Sequence, residues 1–201
     1  MYKLSGSIEE RRRAIAAAAH RTINEQGLHG VNLRDIAAAL GTTVGVIQYY
    51  FKSKDELLLY AKDVIIDDVL DRARRAGAGL KGVARLQLIC ETCLPFGTQA
   101  MEQWRVIVAF NGRAIGDSGL TAIQVIRYEK SQIFFQRELM ALKRAGDVPN
   151  SVNAKLDALG LVSFIEGLGL QMTFGKQPAR TTLYRQAVAR HLKQMFARSP
   201  D

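Results

Sequence analysis

The residues of this 201-residue chain whose types and spacing point to chemistry lie between Leu33 and Lys54, LRDIAAALGTTVGVIQYYFKSK. Two short helical patterns flank a Gly-Thr-Thr turn, the layout of a helix-turn-helix. Ile36, Ala37 and Leu40 face inward on the first helix, and Ala37 is small where the second must cross closely. Gly41 takes the turn and Thr43 caps the second helix. Val44, Val46, Gln48 and Tyr49 then face outward, placed to read base edges in a major groove, while Ile47 and Tyr50 or Phe51 pack back. Gly45 lets the backbone approach a duplex. Arg34, Lys52 and Lys54 stand where phosphates would run, and the helix starting at Lys54 offers backbone N–H groups. The same spacing also fits an αα-hairpin of a helical bundle that binds no DNA.

Other chemistry is thinner. Cys90 and Cys93 form a C-x-x-C pair. A metal site needs more ligands nearby, and His20, His29 and His191 are scattered, so two small core residues are expected, with a thiol redox sensor as the alternative. No Ser/His/Asp set, phosphate loop or paired-carboxylate motif is visible. No enzyme and no cofactor are expected.

The elements that must position these residues read as helix throughout. Ser7 with Glu10 makes a capping box for a helix from Ile8 to Gln26, stopped by Gly27. Asn32 caps Leu33–Leu40, and Val44 to Phe51 follows. Ser53 caps a long helix from Lys54 to Arg75, with Asp55 and Glu56 in its acid-favouring first turn. Further helices are expected over Val83–Leu94, Ala100–Ile115, Leu120–Ala145, Ser151–Phe174 and from Thr181 or Thr182 to Arg198, with Gly175 and Pro178 between the last two. The expected fold is all-α, with a helix-turn-helix domain over 1–54 and a second helical domain over 55–201.

Composition agrees with a folded protein that meets an acidic partner. Lys and Arg outnumber Asp and Glu by 28 to 19, a net charge of +9. Hydrophobic residues at 48% and charged residues at 23% exclude a disordered chain. The opening stretch MYKLSGSIEERRRAIAAAAH carries its charges in the wrong places for a secretion signal. The most apolar stretch, Leu159–Phe174, is interrupted by Glu166, Gly160, Gly167 and Gly169. No membrane association and a cytoplasmic location are expected.

The stretch RRRAIAAAAHRTINEQGLHGVNLRDIAAALGTTVGVIQYYFKSKDELL closely resembles the N-terminal domain of the TetR family of bacterial transcriptional regulators. The match runs through the basic cluster, the helix ending at Gly27, LRDIAxxLG, the T-x-G-x-I turn and YYF-K-S-K-x-E-L-L. It covers residues 10–59. Gln48 departs from the usual Tyr, and Thr42-Thr43 from the usual Val-Ser. Gln48 can read adenine, so the departure bears on operator sequence. The resemblance implies a two-domain homodimer that binds a double-stranded DNA operator, most often a repressor released by a small-molecule effector. Its usual DNA contacts fall on Arg34, Thr43, Val44, Val46, Gln48, Tyr49, Tyr50 and Lys54. An all-α adaptor without DNA binding is the contrasting reading.

AMEQW (100–104) and SFIEGLGLQMTFGKQP (163–178) are similar to the BetI-like branch, whose namesake responds to choline. The aromatic cage that choline requires is absent around Trp104, Val108 and Gly169. Effector-pocket candidates are Cys90, Phe96, Trp104, Phe110, Asn111, Tyr128, Phe134, Phe164 and Glu166, a mix of apolar walls and a few polar groups. Glu166, an acid in an apolar helix, needs a partner or a role. Glycines in that helix want a packing reason. With two reading heads implied by the resemblance, the expected dimer face is Leu156, Leu159, Gly160, Gly167, Leu168, Leu183, Val188 and Leu192.

Overall fold

The computed structural model describes residues 6–174 and 181–197. Gly175, Pro178 and Arg198 lie outside the described residues. Among those described there are nine α-helices and no strand: α1 (Ile8–Gly30), α2 (Leu33–Ala39), α3 (Val44–Tyr50), α4 (Lys54–Ala76), α5 (Gly82–Thr92), α6 (Thr98–Ala114), α7 (Ser118–Ala145), α8 (Ala154–Thr173) and α9 (Thr181–Phe196). The all-α expectation holds.

Local chemistry sets the helix ends. The Ser7 hydroxyl accepts from Glu10 N–H while the Glu10 carboxylate accepts from Ser7 N–H, the expected capping box. Asn32 and Thr43 cap α2 and α3 by accepting from Asp35 and Val46 N–H. Gly27 breaks α1 at φ 74°, and a last turn continues to Gly30. α8 begins later than Ser151 because Asn153 is the better cap. Its side chain accepts from Leu156 N–H, and Asp157 accepts from Asn153 N–H in return.

The chain forms two compact units: Met1–Asp68 with Arg105–Gly116, and Val69–Trp104 with Asp117–Asp201. The division falls inside α4 and α6, where the sequence placed a boundary at residue 54. The first half of α4 belongs with the helix-turn-helix because it buries Leu57, Leu58 and Ala61 there. It is also tied to α6 within the same unit. Lys62 Nζ donates to Asn111 Oδ1 at 2.8 Å, and Arg113 pairs with Asp55. In the second unit α7 packs along α8, and α5 touches α7 and α9. Leu86, Ile89, Leu139, Ala158 and Leu161 form its core.

Candidate nucleic-acid interface

The turn between α2 and α3 is a Schellman closure. Thr42 N–H reaches the Ala37 carbonyl at 2.9 Å and Gly41 N–H the Ala38 carbonyl at 3.0 Å. Gly41 sits at φ 60°, a conformation that glycine adopts without a Cβ penalty. Ile36, Ala37, Leu40, Ile47 and Phe51 are buried around this corner. The α2–α3 pair is therefore fixed by its own backbone and by a shared core.

That core leaves one face of α3 outward. Gln48 and Tyr49 are exposed, Tyr49 by 78%, and Val44 and Val46 are half-buried. A tyrosine held this far into water on a short helix offers both a ring and a hydroxyl to a partner. Arg34 and Thr43 are exposed and Lys54 is half-buried. Seven of the eight DNA-contact positions implied by the resemblance are thus solvent-accessible in the first unit. Tyr50 is the correction. It is buried, its ring meets Tyr49 edge-on with centroids 5.0 Å apart, and its hydroxyl accepts from Arg11 Nη1 at 3.0 Å. Tyr50 comes a further step of about 100° round the helix from Gln48 and Tyr49, and that step turns it onto the core.

Sequence reasoning passed over what holds α3 at its C-terminal end. Arg12 Nη1 donates to the Tyr50 carbonyl at 2.8 Å, the last residue of α3. Its guanidinium lies 4.3 Å from the Phe51 ring centroid and 4.7 Å from that of Tyr60, and Nη2 reaches Glu56 at 3.4 Å. A cation at a helix C-terminus meets unsatisfied carbonyls and the negative end of the dipole. Glu56 in turn accepts from Lys52 N–H, and Ser53 accepts from Glu56 N–H. The signal was present in the sequence: Arg12 falls between Ile8 and Ile15 on the same helical stripe. The basic cluster read as Arg11–Arg13 is therefore structural scaffolding. Arg13 is engaged with Glu9 and Asp68.

The effector candidates divide between the two units. Phe110 is buried and Asn111 is bonded to Lys62, and both belong to the first unit. The other candidates belong to the second. Trp104 is buried there, its Nε1 donating to the Cys93 carbonyl at 2.9 Å and its ring lying where a Cβ on Gly169 would be. Tyr128 bonds Glu166 and Gln124; burial raises its phenol pKa first, and the Glu166 charge adds to this. The acid in the apolar helix has found a partner in its own chain. Phe164 stacks on His191 at 4.0 Å. Phe96 lines a cavity of about 370 Å³ and Phe134 a groove of about 530 Å³. Cys90 is buried beside Cys93, both as free thiols. Burial pushes Cys90 well above the ordinary thiol range and Cys93 up to about 12, the reverse of a reactive pair. No cluster of three or more metal-binding side chains occurs among the described residues.

Of the expected dimer face, Leu156, Leu159, Gly160 and Leu183 are exposed, and Gly167 and Leu168 are half-buried. Val188 and Leu192 are corrected to core: both are only 1% exposed in the single chain, within the unit that holds α5 and α9. No described helix is long and apolar enough to cross a membrane.

A reading helix fixed on a three-helix scaffold, followed by a second helical unit, defines a helix-turn-helix transcriptional regulator. Residues 15–61 match the pattern of bacterial regulatory proteins of the tetR family, and residues 82–197 match the BetI-type transcriptional repressor C-terminal pattern. The chain belongs to the TetR family of bacterial regulators, with a C-terminal half of BetI type. It is 28% identical to the regulator BetI of Cronobacter sakazakii over 93% of this chain and 91% of that one. It is 32% identical to the regulator PksA of Bacillus subtilis over 53% of this chain and 52% of that one. Its fold superposes with a TM-score of 0.77 on a transcriptional regulator from Saccharomonospora viridis in complex with choline, at 26% identity, covering 92% of this chain and 96% of that one. A TetR-family regulator from Rhodococcus gives a TM-score of 0.81 at 20% identity, covering 94% of this chain and all of that one.

Proposed function

We propose that this regulator is a cytoplasmic repressor that binds a palindromic operator as a homodimer and leaves it when a small molecule occupies the second unit. The observation that carries the reading is the outward face of α3. Val44, Val46, Gln48 and Tyr49 stand on a helix whose two ends are fixed by Thr43 and Arg12. Gln48 is the residue for bidentate contact with adenine, and Arg34 and Lys54 flank it for phosphates. The C-terminal family pattern, described as that of a repressor, supports the sign of regulation.

One reading helix covers only a few base pairs, so a second copy is needed. The exposed stripe Leu156, Leu159, Gly160 and Leu170 on α8, with Leu183 on α9, is apolar and supports a two-fold face. A two-fold pair would read half-sites about 34–36 Å apart, or a multiple of that. An effector that prefers the DNA-incompetent dimer then releases the operator, and DNA weakens effector binding by the same factor. α4 and α6 carry residues of both units and are the elements through which such coupling would pass. Choline is not the effector proposed, because Trp104 is engaged with Gly169 and Cys93 and offers no open ring face.

The test is binding to labelled duplexes from just upstream of the protein's own gene, at two salt concentrations, with random DNA as competitor. Tight, competitor-resistant binding that falls steeply with salt is expected. Binding no better than to random DNA at both salts, by a protein shown to be free of co-purified ligand and on duplexes covering its neighbouring genes, would overturn it.

A further inference from the structure

We propose that the second unit carries a binding site for a small organic carboxylate in the cavity bounded by Arg72 on α4, the end of α5, the start of α6 and Arg185 on α9. The proposal concerns binding alone and stands independently of the operator reading above.

The cavity measures about 370 Å³, within the size range of small-molecule sites. Its charged lining is Arg72, Arg185 and Glu91. Glu91 is buried, accepts from Gln87 Nε2 at 2.9 Å and pairs with Arg185 Nη1. That pair is neutral as a unit. Arg185 is also held from its other side, its guanidinium 4.9 Å from the Phe96 ring centroid.

Arg72 is the charge left over. Its Nη2 donates to the neutral Gln103 Oε1 at 2.8 Å, and no described carboxylate pairs with it. A guanidinium has five N–H donors in a planar fork suited to two carboxylate oxygens. A half-buried arginine held in place by an amide, beside an already neutral pair, leaves the cavity one positive charge in excess. The opening turn of α6, Thr98 to Ala100, contributes further donors on the same wall. Leu88, Leu94 and Phe96 supply apolar wall. The complement of one uncompensated fork and an apolar wall is a monoanion with a compact apolar body.

Benzoate and butyrate are the probes, with benzamide as the uncharged isostere of benzoate, titrated calorimetrically into the full chain at constant ionic strength. We expect both carboxylates to bind saturably and benzamide at least tenfold more weakly. Arg72→Met keeps the stem and removes the fork, and should weaken benzoate at least tenfold while the helical circular dichroism is unchanged. Arg72→Lys should recover only part of the loss, because a point charge cannot make the paired contact. Equal binding of benzoate and benzamide overturns the proposal on the wild-type protein alone, even if Arg72→Met fails to fold. So does absence of binding by either carboxylate, or unchanged benzoate affinity in a folded Arg72→Met.

Discussion

Arg12 closes the C-terminal end of the reading helix by donating to the Tyr50 carbonyl at 2.8 Å, so α1 fixes the pitch of the face that carries Gln48 and Tyr49. The contact is part-buried and sits on the Phe51 ring, where the guanidinium is partly shielded from salt. Hydrogen bonds to charged groups contribute roughly 1.5–3 kcal/mol. Arg12→Ala should lower unfolding free energy by about 2 kcal/mol in urea titrations. Operator affinity should fall as well at temperatures where the variant is fully folded. Arg12→Lys should fall between the two. Wild-type operator affinity in a destabilised Arg12→Ala would show that α3 needs no such fastening.

Lys54 and Gln48 should fail differently. Lys54→Ala takes away the cation proposed to meet a phosphate and is expected to weaken binding to specific and random duplexes about equally, lowering the salt slope by about one. Gln48→Ala is expected to cost roughly 1–3 kcal/mol at one operator position and to relax preference there. Competition titrations against a panel of single-position operator variants separate these outcomes. A uniform loss from Gln48→Ala would assign that residue to positioning rather than reading.

The reading head was legible because its signals are local. The Thr43 cap, the Gly41 turn and the inward Ile36, Ala37 and Ile47 each follow from spacing within a few residues. What spacing could not supply was pairing across the chain. Arg12 and Lys62 occupy apolar stripes, and Lys62 ends only 2% exposed, with its ammonium 5.1 Å from the Phe110 ring centroid. Their burial depends on acceptors, Tyr50 and Asn111, that are remote in sequence. The effector candidates scattered for the same reason. Aromatic residues on α6, α7 and α8 look alike in a linear pattern, and only packing separates Phe110 in one unit from Phe96 in the other.

The paired cysteines should be inert. Burial holds the Cys93 thiol up to about 12 and Cys90 well above its ordinary range, so both are protonated at pH 8. Native protein should therefore react with a thiol-specific chromogen no faster than it unfolds, while denatured protein releases two equivalents at once, one from each cysteine. Fast titration of either thiol in native buffer would revive a redox role.

Tyr60 and Glu9 link stability to pH from both sides. Burial and the bond to Glu9 raise the Tyr60 phenol from 10.0 to about 12, and that same bond holds the Glu9 carboxyl below its ordinary value. Between those two phenol values the unfolded chain is deprotonated while the folded one keeps its proton. Tyr60's contribution is therefore full below pH 10 and lost as pH rises toward 12. Glu9's contribution is present above the ordinary carboxylate value of 4.5 and lost as pH falls through its lowered one. Tyr60→Phe should flatten the alkaline limb of a melting-temperature profile relative to wild type. An unchanged alkaline slope would mean that the Tyr60 phenol titrates normally.

Three glycines on α8 should separate packing within a chain from packing between chains. A Cβ on Gly169 would collide with the Trp104 ring, whose Nε1 is already tied to the Cys93 carbonyl. Gly169→Ala should thus destabilise by about 1–3 kcal/mol, as overpacking does. Beyond the backbone of α8 itself, no described residue comes within 4 Å of a Cβ on Gly160 or Gly167. In a lone chain, alanine at either site should stabilise the helix by about 0.5–1 kcal/mol through backbone entropy. Gly160 shares the outward side of α8 with Leu156 and Leu159, so a second copy seated there would feel the added methyl. Gly160→Ala is therefore expected to raise the dimer dissociation constant in sedimentation equilibrium while leaving the folded monomer at least as stable. A Gly160→Ala variant that melts higher and dimerises as tightly as wild type would move the two-fold contact away from this stripe.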